Sequence, residues 1–464
     1  MADQPAADAL VLFGATGDLS KRKLFPALYN IIRHQGLDLP IVGVARNNWT
    51  DATFSEHARA AIEVSEREPN EILIGALLDG LHLVTGDYAS ITTFEALRGC
   101  LDRLGSTTAV FYLAIPPAAF PLIIDSLRAV GLAERGRVVV EKPFGRDLSS
   151  AQELNRTLHA VFPEERIFRI DHYLGKESVE DLMVFRFSNS FLEPIWNRNY
   201  VRQIQITMSE TIGVEGRGTF YDSVGAIRDF LQNHLLQVLA LLMMEPPVGP
   251  QPNFLHDEKA KVFAAMPPIT CEETVRGQYI GYRDEPGVEE GSTVETYVAA
   301  RLQIDSWRWA DVPIWVRCGK GLNQAATECV VELKEPPRML FDEDPDGARP
   351  GRNLIRFRLG KNDGVTLTVQ AKEPGQHLDS RSVDLRCDFA ASLGERHEPY
   401  ERLMWDAIQG VTRRFAREDV VESTWRVVQP LLDDPGPVFP YERGTWGPTQ
   451  GDRLVPGGWY PPSP

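Results

Sequence analysis

The first 170 residues alternate short apolar runs with amphipathic stretches. Ala9 to Phe13 and Ile41 to Ala45 are unbroken apolar segments of strand length, and Thr108 to Ile115 and Arg137 to Glu141 are strand-like runs with apolar centres. Pro116-Pro117 and Pro143 end the last two. Between them, helical spacing covers Leu19 to His34, Phe54 to Ile62 and Ala119 to Val130. Strands apolar on both faces and separated by helices predict a parallel α/β sheet.

Near residue 175 the texture changes. Strand-like runs recur with fewer helices between them: Leu182 to Phe187, Val201 to Met208, Val294 to Ile304, Ile314 to Cys318, Glu328 to Leu333, Asn353 to Leu359 and Val365 to Ala371. They predict a large, mainly antiparallel sheet with helices on one face. A long helix is expected over Tyr221 to Met244, because Phe220, Val224, Ile227, Leu231, Leu235, Val238 and Leu242 recur at steps of three and four. Turn-rich stretches at 246–252, 284–291 and 341–351 punctuate this half, and the Pro- and Gly-rich tail from Pro435 reads as irregular. The expected organisation is a Rossmann-like dinucleotide-binding domain over 1–175 and an α+β domain over 176–464.

Composition narrows the function without naming it. The 464 residues carry 49 basic and 65 acidic side chains, a net charge of −16. That balance argues against nucleic acid and anionic membranes as partners, since both need extended positive surfaces. The five cysteines are not spaced as C-x-x-C, so neither a zinc knuckle nor a disulfide framework is expected. No metal centre is predicted. The start lacks the basic and apolar regions of a signal peptide, and the run Val238 to Met244 is too short to span a bilayer. A cytoplasmic enzyme is the expectation.

Candidate chemistry gathers at strand ends. Gly14-Ala-Thr16-Gly17-Asp18-Leu19 follows the first strand and opens a helix, where backbone amides and the helix dipole suit a pyrophosphate. The second strand ends in Arg46, where an NAD site places an acid for the ribose; Arg there suits a 2′-phosphate, hence NADP. Lys21, Arg22 and Lys23 stand in a first helical turn that the dipole disfavours for cations, so they are either a solvated face or neighbours of an anion. Tyr112 and Lys142 lie at other strand ends on the ligand-binding edge. The nine residues Arg169-Ile-Asp-His-Tyr-Leu-Gly-Lys-Glu177 hold two acids, two fixed cations and a histidine. They read as a polar turn or as an anion site built on His172 and Lys176. His234, beside the apolar seam of the long helix, is either a satisfied core histidine or a base.

The motifs Gly14-Ala-Thr-Gly-Asp-Leu-Ser-Lys-Arg-Lys, Glu141-Lys-Pro-Phe-Gly, Arg169-Ile-Asp-His-Tyr-Leu-Gly-Lys-Glu and Gln232-Asn-His-Leu-Leu-Gln together resemble the glucose-6-phosphate dehydrogenase family. So do Glu215-Gly-Arg-Gly, Met244-Glu-Pro-Pro, Val275-Arg-Gly-Gln-Tyr, Arg317-Cys-Gly-Lys, Pro399-Tyr-Glu-Arg-Leu and Trp425-Arg-Val-Val-Gln-Pro-Leu-Leu. The resemblance runs in order along nearly the whole chain. It implies oxidation of glucose 6-phosphate at C1 to a lactone with hydride transfer to NADP, the entry to the oxidative pentose phosphate route. His234 would be the general base and Asp171 its orienting carboxylate. His172, Tyr173 and Lys176 would hold the phosphate, and Glu210 and Asp229 the sugar hydroxyls. Lys142 and Lys320 would contact substrate and nicotinamide, with Lys23 a further substrate contact. Gly14, Thr16, Gly17, Asp18, Leu19, Arg46 and Tyr112 would form the cofactor site. Pro143 matches a proline that is cis in the family, and a homodimer or homotetramer is implied. One departure stands out: five residues after Lys320, where relatives carry Lys or Arg, this chain has Ala325.

Overall fold

A computed structural model describes residues 5–46, 49–336, 350–376 and 378–463. Most of the turn-rich stretch at 341–351 lies outside them. The chain forms two compact units. The first comprises Met1–Lys176, Pro247–Asp257 and His397–Glu422; the second comprises Glu177–Pro246, Glu258–Arg396 and Ser423–Pro464.

The first unit is built on six parallel strands: β1 (Ala9–Phe13), β2 (Ile41–Ala45), β3 (Leu81–Thr85), β4 (Ala109–Leu113), β5 (Gly136–Glu141) and β6 (Ile167–Ile170). Their order is β3-β2-β1-β4-β5-β6, the doubly wound arrangement whose strand order reverses between β1 and β4. Every residue of β1, β2 and β4 is buried, which explains their unbroken apolar runs. Two later segments return to this unit for a packing reason. Leu403, Met404, Ala407 and Ile408 of the helix Pro399–Gln409 complete its apolar core, with Phe415 set edge-on against Phe168 of β6.

The second unit carries a sheet of nine strands. These are β7 (Val201–Ser209), β8 (Thr274–Tyr279), β9 (Tyr297–Leu302), β10 (Ile314–Gly319), β11 (Ala326–Leu333), β12 (Leu354–Arg358), β13 (Gly364–Lys372), β14 (Ser380–Asp388) and β15 (Val438–Tyr441). The order is β14-β13-β12-β11-β7-β10-β9-β8-β15. All neighbours run antiparallel except β7 with β10 and β8 with β15.

Three expectations differ: the tail from Pro435, read as irregular, holds β15 and a short helix, Thr449–Leu454, and two further elements change. Leu182 to Phe187 is not a strand but part of the helix Glu177–Ser188. Glu177 and Glu180 favour its first turn, and buried Arg186 donates to the carbonyls of Leu241 and Met244 at 2.9 and 2.8 Å. The helix expected over 221–244 is broken. A short helix, Gly218–Asp222, ends before Gly225, whose φ of 68° interrupts the helical path. A π-helical segment, Ile227–Leu235, follows and passes into the α-helix Leu236–Met243. From Phe230 to Met244 every side chain is buried, so there is no one-sided apolar seam, and Phe220 is half exposed.

Candidate active site

In the first unit the glycine turn is fixed by close backbone approach. Gly14 has φ 77°, and a Cβ there would lie 2.3 Å from the Ala114 carbonyl oxygen at the end of β4. Its amide donates to the Val44 carbonyl at 3.2 Å and to the Tyr88 hydroxyl at 2.9 Å, while Gly17 N–H donates back to the Gly14 carbonyl. The chain then winds as a π-helical turn over Ser20–Leu24 before the α-helix Phe25–Gln35. The turn thus sits at the β1/β4 reversal with helical amides following it, the geometry of a dinucleotide phosphate site. Arg46 is exposed at the end of β2 with its guanidinium 4.8 Å from the Tyr88 ring centre. Tyr88 therefore braces both the glycine turn and Arg46. It escaped sequence reading because it stands in a loop outside any motif.

Of the three cations after the turn, Arg22 has an internal answer in Asp18, 2.7 Å away one helical turn back. Lys21 and Lys23 are exposed. Tyr112, expected among the cofactor contacts, is fully buried, and its hydroxyl donates to Glu141 at 2.5 Å. Its place in a strand buried on both faces turns it into the core instead. Burial pushes the Glu141 carboxyl up to about 7, against the opposing pull of hydrogen bonds from Tyr112 and Tyr400 and of the Lys142 charge. The Lys142–Pro143 peptide is cis. Glu141 and Tyr400 are members of this site that were quoted only inside motifs, without a role.

The charged string after β6 resolves into different jobs. Arg169 is wholly buried, donating to both Glu164 carboxylate oxygens at 2.8 and 3.0 Å and to Asn155 at 3.0 Å. It is a structural cation. Asp171, 1% exposed, accepts the Tyr173 amide at 2.9 Å, and two further turns close at Leu174 and Lys176. Lys176 holds its ammonium 3.6 Å from the Tyr173 ring centre, and the His172 ring lies 5.1 Å from the same ring. Arg402 donates to the Gly175 carbonyl at 2.6 Å, locking the string against the helix Pro399–Gln409. His172 and Lys176, both partly exposed, thus lie against one tyrosine ring.

In the second unit, the parallel pairing of β7 with β10 sets Ser209 opposite Gly319. Glu210 and Lys320 consequently leave the sheet side by side, and the Lys320 ammonium donates to the Glu210 carboxylate. The same ammonium lies 5.3 Å from the Tyr221 ring and 5.2 Å from the Phe230 ring. Its backbone is pinned as well: its amide donates to Thr296 and its carbonyl accepts from Tyr441. Ala325 is exposed beyond β10.

Asp229 and His234 both belong to the π-helical segment. Five residues along an α-helix turn the chain about 140° past a full revolution, so the two would face apart. With i→i+5 winding, the fifth residue lies roughly one turn on and stacks over the first. Both residues lie on this widened helical segment. His234 is 3% exposed, whereas Asp229 is partly exposed. The Asp229 charge contributes to pushing the buried Tyr221 hydroxyl well above its ordinary range, after burial itself. The segment's first amide, Ile227 N–H, donates to Glu295 at 3.0 Å, and Glu295 pairs with Arg276 at 2.8 Å. A Cβ on Gly225 would fall 2.4 Å from the same Glu295 carboxylate oxygen. Glu295 was missed, and Arg276 was quoted only inside a motif; a buried ion pair has no signature in spacing.

Comparison with known proteins places these arrangements in one family. Residues 11–181 match the family described as glucose-6-phosphate dehydrogenase, NAD binding domain, and residues 183–458 match its C-terminal domain. The chain is 46% identical to glucose-6-phosphate 1-dehydrogenase 1 of Mycobacterium bovis, over 98% of this chain and 97% of the relative. It is 41% identical to glucose-6-phosphate 1-dehydrogenase of Aggregatibacter actinomycetemcomitans, over 96% and 95%. A crystal structure of the Mycobacterium avium glucose-6-phosphate 1-dehydrogenase superposes with a TM-score of 0.92 at 43% identity, covering 99% of both chains. A glucose-6-phosphate dehydrogenase in complex with glucose-6-phosphate superposes with a TM-score of 0.91 at 34% identity, covering both chains fully. This chain belongs to the glucose-6-phosphate dehydrogenase family.

Proposed function

We propose that this protein oxidises D-glucose 6-phosphate at C1 to 6-phospho-D-glucono-1,5-lactone, using NADP+. The observation that carries the reading is His234, a buried imidazole on the π-helical segment that also holds Asp229 and Phe230, whose ring centre lies 5.2 Å from the Lys320 ammonium. The cofactor, when bound, accepts the hydride from C1. The protein supplies the rest. His234 takes the proton of the C1 hydroxyl, and Asp171 orients the imidazole and stabilises its cation. Lys176, His172 and Tyr173 hold the phosphate dianion, a local cationic face that answers the overall charge of −16. Glu210 and Asp229 accept from the sugar hydroxyls, and Lys142, Lys320 and Lys23 are further contacts.

The fit to NADP rests on the Gly14–Leu19 turn and on exposed Arg46 stacked over Tyr88. A guanidinium held over a ring presents its edge to a phosphate. Tyr112 supports this site through Glu141 rather than by contact. The protein acts in the cytoplasm as a homodimer or homotetramer. In support, all five cysteines are free thiols, and none of the described helices is long and apolar enough to cross a membrane. The edge strand β14 displays exposed Val383 and Leu385 on one face, the feature a sheet-mediated contact would cover.

Steady-state assays with glucose 6-phosphate, comparing NADP with NAD, test the reading. We expect a higher kcat/KM with NADP and near-complete loss of turnover in His234→Asn with cofactor binding retained. Exclusive use of NAD would remove the role given to Arg46, and near-normal turnover in the variant would remove the base.

A further inference from the structure

Away from these residues, the first unit buries a carboxylate that lacks a fixed cation. Glu401 lies in the first turn of the helix Pro399–Gln409 and is 3% exposed. Among the described residues its ionic partners are two imidazoles. Its Oε1 stands 2.8 Å from Nδ1 of His34 and 3.0 Å from Nδ1 of His397. Arg33, the cation beside His34 in sequence, is directed to Glu66 instead. Neutral imidazoles offer Glu401 dipoles but no charge. Two imidazolium ions would oppose each other, with ring centres 4.8 Å apart. A buried carboxylate is costly unless its charge is matched.

We propose that His34, His397 and Glu401 form a site for one divalent first-row transition cation of the zinc class. Two imidazoles and one carboxylate are a donor set that zinc favours, with a water completing the tetrahedron. All three donor atoms lie within 4.8 Å of one another. Metal–donor distances of about 2.0–2.1 Å place tetrahedral donors roughly 3.4 Å apart, so the two contacts need to open by only about half an ångström. His34 can yield that much: it is partly exposed, in the last turn of the helix Phe25–Gln35. That helix ends there, at Gly36, so its carbonyl end also favours a cation. His397, two residues ahead of the second helix, and Glu401 in its first turn are already 3.0 Å apart.

The cation would clamp the helix that follows the glycine turn to the helix that braces Gly175, both within the first unit. None of the three ligands belongs to the proposed catalytic or cofactor machinery, so the inference stands apart from that reading.

The test is zinc chloride titration of the full-length, EDTA-treated protein by calorimetry, for wild type, His34→Ala and His397→Ala. Wild type is expected to bind one equivalent more than either variant, with a micromolar or tighter Kd and a zinc-dependent rise in Tm that both variants lose. Cobalt in place of zinc should give the visible bands of a four-coordinate ion only in wild type. Sites involving cysteines or other histidines appear in all three proteins and cancel. Glu401→Gln could fail to fold, so the largely solvent-facing His34 carries the comparison. Equal stoichiometry and affinity in wild type and both variants, or a difference seen only at millimolar zinc, would overturn the proposal.

Discussion

Removing the Glu295 carboxylate should damage the catalytic helix without touching its proposed base. Glu295 is 4% exposed and does two jobs. One oxygen accepts Ile227 N–H, an amide with no partner inside its own helix, at 3.0 Å. The other accepts from Arg276 through Nε at 3.2 Å and Nη2 at 2.8 Å, and Arg276 is itself 5% exposed. Breaking a buried pair costs about 3–5 kcal/mol. The carbonyls of Thr293 and Gly436 still accept from Arg276, which argues for the lower end, about 3 kcal/mol. The orphaned Ile227 amide adds about 1 kcal/mol. Glu295→Ala should therefore lose about 4 kcal/mol in urea unfolding, together with a roughly tenfold to hundredfold fall in kcat/KM for glucose 6-phosphate as Asp229 loses its register. The KM for the cofactor should hold. Gly225→Ala supplies a cross-check, because its Cβ clashes with the Glu295 oxygen and its φ is 68°. In the Glu295→Ala background that clash disappears, leaving a tight 3.1 Å approach to Val294 Cγ1 and the backbone cost of about 1–2 kcal/mol. Additive effects in the double variant, or a Glu295→Ala loss under about 1 kcal/mol with unchanged kcat/KM, would refute the reasoning.

Three further outcomes follow from the same geometry. Glu141 is pushed up to about 7 by burial, so the folded state binds its proton more tightly than the unfolded chain does. Its ionisation consequently costs stability as pH rises from about 4.5 to 7, by about 3 kcal/mol in total. Glu141→Gln keeps acceptors for Tyr112 and Tyr400 and should flatten that slope, gaining stability over wild type at pH 8 but not at pH 4; parallel Tm curves would contradict it. Lys176→Ala should raise KM for glucose 6-phosphate far more than for unphosphorylated glucose, and equal effects would remove the phosphate role. Arg46→Ala should raise the KM for NADP about tenfold or more and leave that for NAD nearly unchanged, whereas a parallel rise for both cofactors would mean that Arg46 contacts no 2′-phosphate.

The readable part of this protein was the part whose side chains report burial locally. Strands β1, β2 and β4 are enclosed by helices on both faces, so their sequences are plain apolar runs, and the glycine turn between them had to be glycine for steric reasons. The exposed strand β14 gave no such signal, because its residues alternate without a buried side and it pairs with β13 through backbone bonds and exposed polar side chains. Residues 182–187 misled for the opposite reason. Their β-branched and aromatic content suits a strand, but buried Arg186 is satisfied by carbonyls 55 and 58 positions away, which no local pattern encodes. The catalytic helix is the sharpest case. Read at 3.6 residues per turn, it put His234 beside an apolar seam and Asp229 elsewhere. The π-helical segment that carries both follows Gly225, which has no room for a Cβ beside Glu295, a residue about seventy positions later that also pairs with Arg276. The motif that holds the proposed base, His234, was legible in the sequence. The winding of its segment was not, because the amide that opens it is held by Glu295, one half of a buried ion pair with Arg276 that no local pattern encodes.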